Sequence, residues 1–265
     1  LLLKEKEFTA KIDVKSFYIR RALRIWPLYY LVLLVGFLIF PMLKQFMGLV
    51  PNETANPWLC FTFLNNFDRI LHVPDAFVIA VLWSVAIEEQ FYLVWPVLFY
   101  FIPSKYTLYL IAAVILSSTL FRYFYMHKVP IELHTFGVIS DMAVGGGMAY
   151  LAIFSDNFKR MIKVSPKWLT LFFYLLFLSI ILFKQEMFQS DWMIVFKRLV
   201  MGITFAYIIA EQNFSENSFF KVGNWKKIST LGKYTYGLYC LHPMAILAVT
   251  IVLSKLSLNQ SAWQI

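Results

Sequence analysis

The stretch Leu82-Trp83-Ser84-Val85-Ala86-Ile87-Glu88-Glu89-Gln90-Phe91-Tyr92 decides how this chain is read. It sets two carboxylates, an amide and two hydroxyls between flanks, residues 76–81 and 93–101, that are apolar enough for a bilayer. Ionisable groups at membrane depth are costly unless they face a partner or a protein-lined cavity, so such a segment marks a functional site by default. On a helix, Ser84, Glu88 and Tyr92 fall at i, i+4 and i+8 and share one face. Glu89 and Gln90 project elsewhere. An amphipathic helix lying in the interface is the competing reading, and it asks for less apolar flanks. A purely architectural Glu88, holding some basic residue, is the other.

Composition points the same way. Hydrophobic residues make up 60%, aromatics 19% and charged residues only 15% of the chain, outside the range of soluble domains. Apolar runs close to the ~20 residues that span a bilayer recur near residues 26–46, 77–102, 106–126, 134–154, 168–183, 192–210 and 234–253. Backbone groups find no water in the bilayer core, so these segments must be helical. The expected fold is all-α, a polytopic transmembrane helical bundle of about seven spans, forming a single membrane domain over residues 1–265. Residues 58–71 are apolar but short, and Asn65, Asn66 and Asp68 break them into a re-entrant or folded outer loop.

The net charge of +9 would suggest nucleic acid in a soluble protein, but its distribution follows topology instead. Lys4, Lys6, Lys11, Lys15, Arg20, Arg21 and Arg24 precede the first span. Alternating the spans places Lys105, then Lys159, Arg160, Lys163 and Lys167, then Lys221, Lys226, Lys227 and Lys233 on the same side. The opposite loops carry only Lys44, Arg69, Lys128, Lys184 and Lys255. Sixteen against five fits the positive-inside rule. A multi-pass protein of the cell membrane is expected, with residues 1–25 cytoplasmic and some attraction to anionic lipid. No nucleic-acid partner is implied.

The chain opens on Leu1-Leu2-Leu3 and turns at once to charge, and it closes soon after Ser254-Lys255. Both ends read as cuts through a longer membrane protein. Cys60 and Cys240 support neither a disulfide framework nor a metal site, and no histidine pair has zinc spacing.

Three further constellations carry chemistry. In Arg20-Arg21-Ala22-Leu23-Arg24, Arg21 and Arg24 are helix neighbours at i, i+3. Two guanidinium forks aimed at one point suit phosphates; fixing topology alone is the bland alternative. In Tyr234-Thr235-Tyr236-Gly237-Leu238-Tyr239-Cys240-Leu241-His242-Pro243, Tyr239 and His242 share a face, and Pro243 frees a carbonyl. A hydrogen-bonded packing histidine is the plain reading, proton handling the sharper one. In Ser140-Asp141-Met142-Ala143-Val144-Gly145-Gly146-Gly147, the glycines permit close helix packing. Arg122, alone in an apolar run, is the expected partner of Asp141.

Residues 17–27, 82–96, 140–151 and 231–243, in that order, together resemble the membrane-bound acyltransferase 3 family, the O-acetyltransferases of cell-surface glycans. The resemblance covers nearly the whole chain. It implies that Arg21 and Arg24 bind an acyl-CoA donor, used as a substrate and not as a resident cofactor. It implies that Glu88 is the intramembrane acid, with Ser84, Gln90 and Tyr92 in support and Glu89 more replaceable. Tyr239, His242 and Pro243 match a late element of the family. Family members carry a principal catalytic histidine in a first helix that this sequence does not contain, so the chain by itself is expected to be inactive. Many also carry an arginine where Ile139 stands, which leaves the role of Asp141 open.

The expectation is therefore an integral-membrane O-acyltransferase moving an acyl group, acetyl by the resemblance, from acyl-CoA to a hydroxyl of a glycan or glycolipid. Glu88 and His242 are the expected catalytic residues, Arg21 and Arg24 the donor-binding ones. Ser84, Gln90, Tyr92, Arg122, Asp141 and Tyr239 are expected to support them, with no metal. The rival readings are a transporter or channel, with Glu88, Arg122 and His242 lining its path, and an inactive scaffold.

Overall fold

The computed structural model describes residues 2–9 and 12–255. Leu1, Lys11 of the basic N-terminal segment and the polar residues after Lys255 lie outside the described residues. Every regular element described is helical. In chain order these are α1 (Leu2–Thr9), α2 (Val14–Leu34), α3 (Phe40–Phe46), α4 (Pro57–Phe61), α5 (Asn65–Leu71), α6 (Trp83–Phe101) and α7 (Thr107–Tyr125). Then come α8 (Thr135–Phe154), α9 (Asp156–Lys163), α10 (Lys167–Leu182), α11 (Lys184–Met187), α12 (Asp191–Phe214), α13 (Lys226–Leu231) and α14 (Thr235–Lys255).

Among the described residues, five helical stretches are long and apolar enough to cross a membrane: Val14–Phe46, Ser104–Tyr125, Thr135–Phe154, Asp191–Phe214 and Lys226–Leu253. Between 11% and 28% of each apolar window is buried, so most of this apolar surface faces outward, as lipid requires. The chain is membrane-associated and all-α.

Two of the seven expected spans come out differently. The one at 168–183 qualifies only as the pair of α9 and α10, bent by 88°. Ser165-Pro166 stands at the bend, and a residue before proline avoids the helical region. The one at 77–102 becomes α-helical only at Trp83, after the 3₁₀ turn Ala80–Leu82. Glu88, Glu89 and Gln90 then lower the hydropathy of its remaining 19 residues, and α6 falls outside the set.

Helix starts follow local chemistry. Asn56 caps α4 by accepting from the amides of Trp58 and Leu59, with Pro57 at the first position. His134 caps α8 through Nδ1 on the Phe136 amide, and Ser155 caps α9 on the Phe158 amide.

The chain divides into two compact units, Leu1–Ile19 with Ile87–Ser229, and Arg20–Ala86 with Thr230–Ile265. In the first, α7, α8 and α12 pack on one another and α10 packs on α12. Its core gathers Leu2, Leu3, Phe17, Phe91, Trp95, Phe99, Ile111 and Ala143. Gly146 and Gly147 allow this closeness: a Cβ there would lie 3.3 Å from Trp95 and 3.3 Å from Ile111 respectively. Gly145 meets nothing and is no packing glycine. Lys6 Nζ donates to the carbonyls of Phe99 at 2.5 Å and Ile102 at 2.6 Å, satisfying the end of α6. Two polar contacts join segments that the charge alternation assigns to a common side, His127 with Asp191 at 3.3 Å and the Lys163–Glu216 ion pair at 3.0 Å.

The second unit buries Tyr29, Val32, Leu33, Cys60, Leu82 and Cys240. Tyr29 donates to the Cys60 carbonyl at 2.7 Å and its ring lies 4.4 Å from that of Phe63. A π-helical turn, Val35–Ile39, joins α2 to α3. Gly36 sits in it against Ile79, so close that a Cβ would lie 2.3 Å from Ile79 Cγ2. Tyr236 donates to the Ile25 carbonyl at 3.0 Å, tying α14 to α2.

Candidate active site

The polar face of α6 forms as its spacing requires. Tyr92 donates to Glu88 Oε2 at 3.5 Å, a long contact, and Glu88 is exposed. Tyr92 also meets the ring of Phe17 edge-on at 6.2 Å. Gln90 turns to another side and accepts from Thr135 Oγ1 at 2.5 Å, which ties α6 to the start of α8.

Ser84 bonds the hydroxyl of Tyr239, and both hydroxyls reach the Val81 carbonyl, at 3.4 and 3.2 Å. Two motifs 155 residues apart in sequence therefore meet inside the second unit. His242 stands one turn beyond Tyr239, with Nδ1 2.6 Å from the Tyr239 carbonyl oxygen and the rings 5.7 Å apart. Its side chain is exposed.

Arg21 and Arg24 lie in the early turns of α2, ahead of Pro27. Arg24 is exposed and Arg21 half-buried. The helical backbone keeps their i, i+3 relation, so both forks can reach one anion.

Asp141 has a different principal partner from the one expected. Its Oδ2 takes Arg198 Nη1 of α12 at 2.7 Å. Arg198 also pairs with Glu132 at 2.5 Å, and Lys197 holds the other oxygen of Glu132 at 2.7 Å. Arg198 reaches Asp141 from another helix, α12. Arg122 is fully buried and makes no direct ion pair with Asp141. It donates to the carbonyls of Val195 and Gly137 and to the hydroxyls of Ser118, Ser140 and Thr119, at 2.8–3.1 Å. So held, Arg122 clamps α7 to α8 and α12. Glu132 lies in the loop before α8. Burial works to raise its carboxyl, but Arg198 and Lys197 outweigh that and hold it below the usual range.

Glu132, Lys197 and Arg198 are not among the site residues expected from the sequence. Adjacent cations inside an apolar run were a visible signal. Their carboxylate partners were not, because helix pairing is not written in local spacing. Among the described residues, no group of three His, Cys, Asp or Glu could hold a metal ion.

All of the chain, residues 1–265, matches the family described as "Acyltransferase domain". The chain belongs to that family. Peptidoglycan O-acetyltransferase OatA of Listeria monocytogenes serovar 1/2a (strain ATCC BAA-679 / EGD-e) is 26% identical over 273 residues, 96% of this chain and 43% of that protein. Proteins named "Putative O-acetyltransferase" in Staphylococcus aureus strains COL and MRSA252 are 34% identical over 106 residues, 37% of this chain and 17% of each protein. The acyltransferase-domain chain thus spans less than half the length of these relatives. No solved structure matches it.

Proposed function

We propose that this acyltransferase-domain chain is the membrane part of an O-acyltransferase that moves an acetyl group from acetyl-CoA to a hydroxyl of a cell-surface glycan or glycolipid. The observation that carries the reading is the hydrogen bond between Ser84 and Tyr239. It gathers the start of the glutamate-bearing helix and the histidine-bearing helix in a chain of this family. The carboxylate of Glu88 suits proton handling or the orienting of a base.

Arg21 and Arg24 receive the phosphates of the donor from the cytoplasmic side, where bidentate, charge-assisted bonds favour a phosphate-rich ligand. Glu88 supplies the carboxylate at the reacting end. The name of the Listeria relative, a peptidoglycan O-acetyltransferase, favours a cell-wall glycan as acceptor in the plasma membrane. A solute path fits less well, since the buried Arg122 is engaged on all sides by neutral acceptors.

The test uses the full-length protein containing this chain, in inside-out membrane vesicles supplied with labelled acetyl-CoA. Label should enter glycan or lipid. Arg24→Ala should raise the donor KM, and Glu88→Gln should lower kcat about a hundredfold or more. A parent that moves no label with acceptors present, or variants indistinguishable from it, would defeat the reading.

A further inference from the structure

α9 and α10 meet at 88° around Ser165-Pro166. α10 carries no charge after Lys167 and forms the membrane-crossing arm of the corner. With that arm along the bilayer normal, α9 lies in the plane of the bilayer surface. α10 has 16 residues, about 24 Å at the helical rise and short of the ~30 Å hydrocarbon core. A short span draws the bilayer surface and its own flanking residues together. Trp168, in the first turn of α10, is a residue type that settles at that depth.

The sequence of α9 suits such a position. At 100° per residue, Asp156, Lys159, Arg160 and Lys163 share one arc, and Phe158, Met161 and Ile162 lie on the opposite one. Ile162 is buried where α9 packs on α8 and α12. Met161, Val164 and Trp168 are exposed. Polar bonds fix the corner to the segment after α12. Lys163 pairs with Glu216 at 3.0 Å, the Glu216 amide donates to the Lys163 carbonyl at 3.0 Å, and Asn217 Nδ2 donates to the Ser165 carbonyl at 3.2 Å. Lys159 is taken up by Asp156 at 3.2 Å. Arg160 meets only the neutral amide oxygen of Asn157, at 2.7 Å. Among the described residues, neither Arg160 nor Lys167 pairs with a carboxylate.

We infer that α9 is an interfacial helix that binds anionic phospholipid, with Met161, Val164 and Trp168 among the acyl chains and Arg160 and Lys167 on the headgroups. Charge complementarity selects the lipid. The corner lies on the side where the chain concentrates its cations, and basic residues at a bilayer surface attract anionic headgroups. The long stems of Arg160 and Lys167 let their charges reach the headgroups while the apolar face stays in contact with the chains. The inference needs α10 to cross the membrane and is independent of the acyl-transfer reading.

The test places a bimane fluorophore on single introduced cysteines of the full-length protein in vesicles; Cys60 and Cys240 are both buried. The first readout is depth. A label from Met161→Cys should be quenched by brominated acyl chains and spared by aqueous iodide, and one from Asp156→Cys should show the reverse. Iodide quenching of both labels alike would put α9 in water and overturn the inference.

The second readout is lipid choice, followed with a label from Val164→Cys. Brominated phosphatidylglycerol should quench it at a lower mole fraction than brominated phosphatidylcholine does. Arg160→Gln and Lys167→Gln should each reduce that preference about fivefold, toward parity, and high salt should do the same. Neither substitution removes a printed ion pair, and Lys163, which braces the fold through Glu216, is left in place. A label from Phe183→Cys, at the far end of α10, should not respond to either substitution. Equal quenching by the two lipids in the parent, or a preference that survives both substitutions together, would overturn the inference.

Discussion

Arg198 of α12 and Asp141 of α8 are joined by a 2.7 Å ion pair, and the same guanidinium reaches Glu132 at 2.5 Å. One cation thereby binds the interior of a span to the loop that leads into it. Removing it strands Asp141 and leaves Glu132 with Lys197 alone. Arg198→Met is expected to cost about 3 kcal/mol, near the low end for breaking a buried pair because Glu132 is 43% exposed. Asp141→Asn on top of it should recover part of the loss, since it removes one stranded charge. Thermal unfolding in detergent measures both. Additive losses would show that the two residues are not coupled.

Glu132 gives the pH dependence its sign. Burial pushes its carboxyl up, and Arg198 and Lys197 more than reverse this, so its folded value is depressed. A depressed acid stabilises the fold above its unfolded value, and that share is lost as pH falls through the folded one. Stability should therefore hold from neutrality down to the ordinary carboxylate range and drop below it. Glu132→Gln should start lower and lose less on acidification. Melting curves from pH 7 to pH 3, about the span over which carboxylates titrate, read this out. Parallel curves for parent and variant would rule the assignment out.

Glycine substitutions should separate sharply by position. A Cβ at Gly137 would lie 2.0 Å from the Ile131 carbonyl oxygen, and one at Gly36 2.3 Å from Ile79 Cγ2. The backbone oxygen cannot swing aside, so Gly137→Ala should be the worse, costing about 3 kcal/mol or more, as overpacking does. Gly36→Ala should cost about 1–3 kcal/mol. Gly145→Ala, with open space around it, should be neutral or slightly stabilising through helix propensity. Folded yield and melting temperature of the three variants give the ranking, and a damaging Gly145→Ala would contradict it.

The helices were legible because a bilayer allows an apolar segment few other conformations. The stripe Ser84, Glu88, Tyr92 and the pair Arg21, Arg24 were legible too, since one helix fixes their spacing. What spacing could not give was pairing between helices. Asp141 could have met any cation at its depth, and Arg122 was the expected partner as the one cation standing alone in its run. Arg122 instead found five neutral oxygens, two of them backbone carbonyls, which no side-chain pattern reveals. The late start of α6 was hidden for a similar reason. Residues 77–82 are as apolar as a helix interior, yet they turn and pack Ile79 on Gly36.

The contact between Ser84 and Tyr239 lends itself to a double-mutant cycle. Ser84→Ala and Tyr239→Phe each remove one hydroxyl without changing the ring or backbone. Each should cost about 1 kcal/mol, and the double variant should cost less than the two together by about that amount. A simple packing role for the tyrosine predicts no such coupling, because the phenyl ring remains in both. The activity cycle should show the same coupling. Tyr239 sets the carbonyl that His242 Nδ1 meets, and loosening either hydroxyl frees the same ring. Stability coupling without coupling in kcat would mean that the Ser84–Tyr239 bond braces the helices and leaves His242 unaffected.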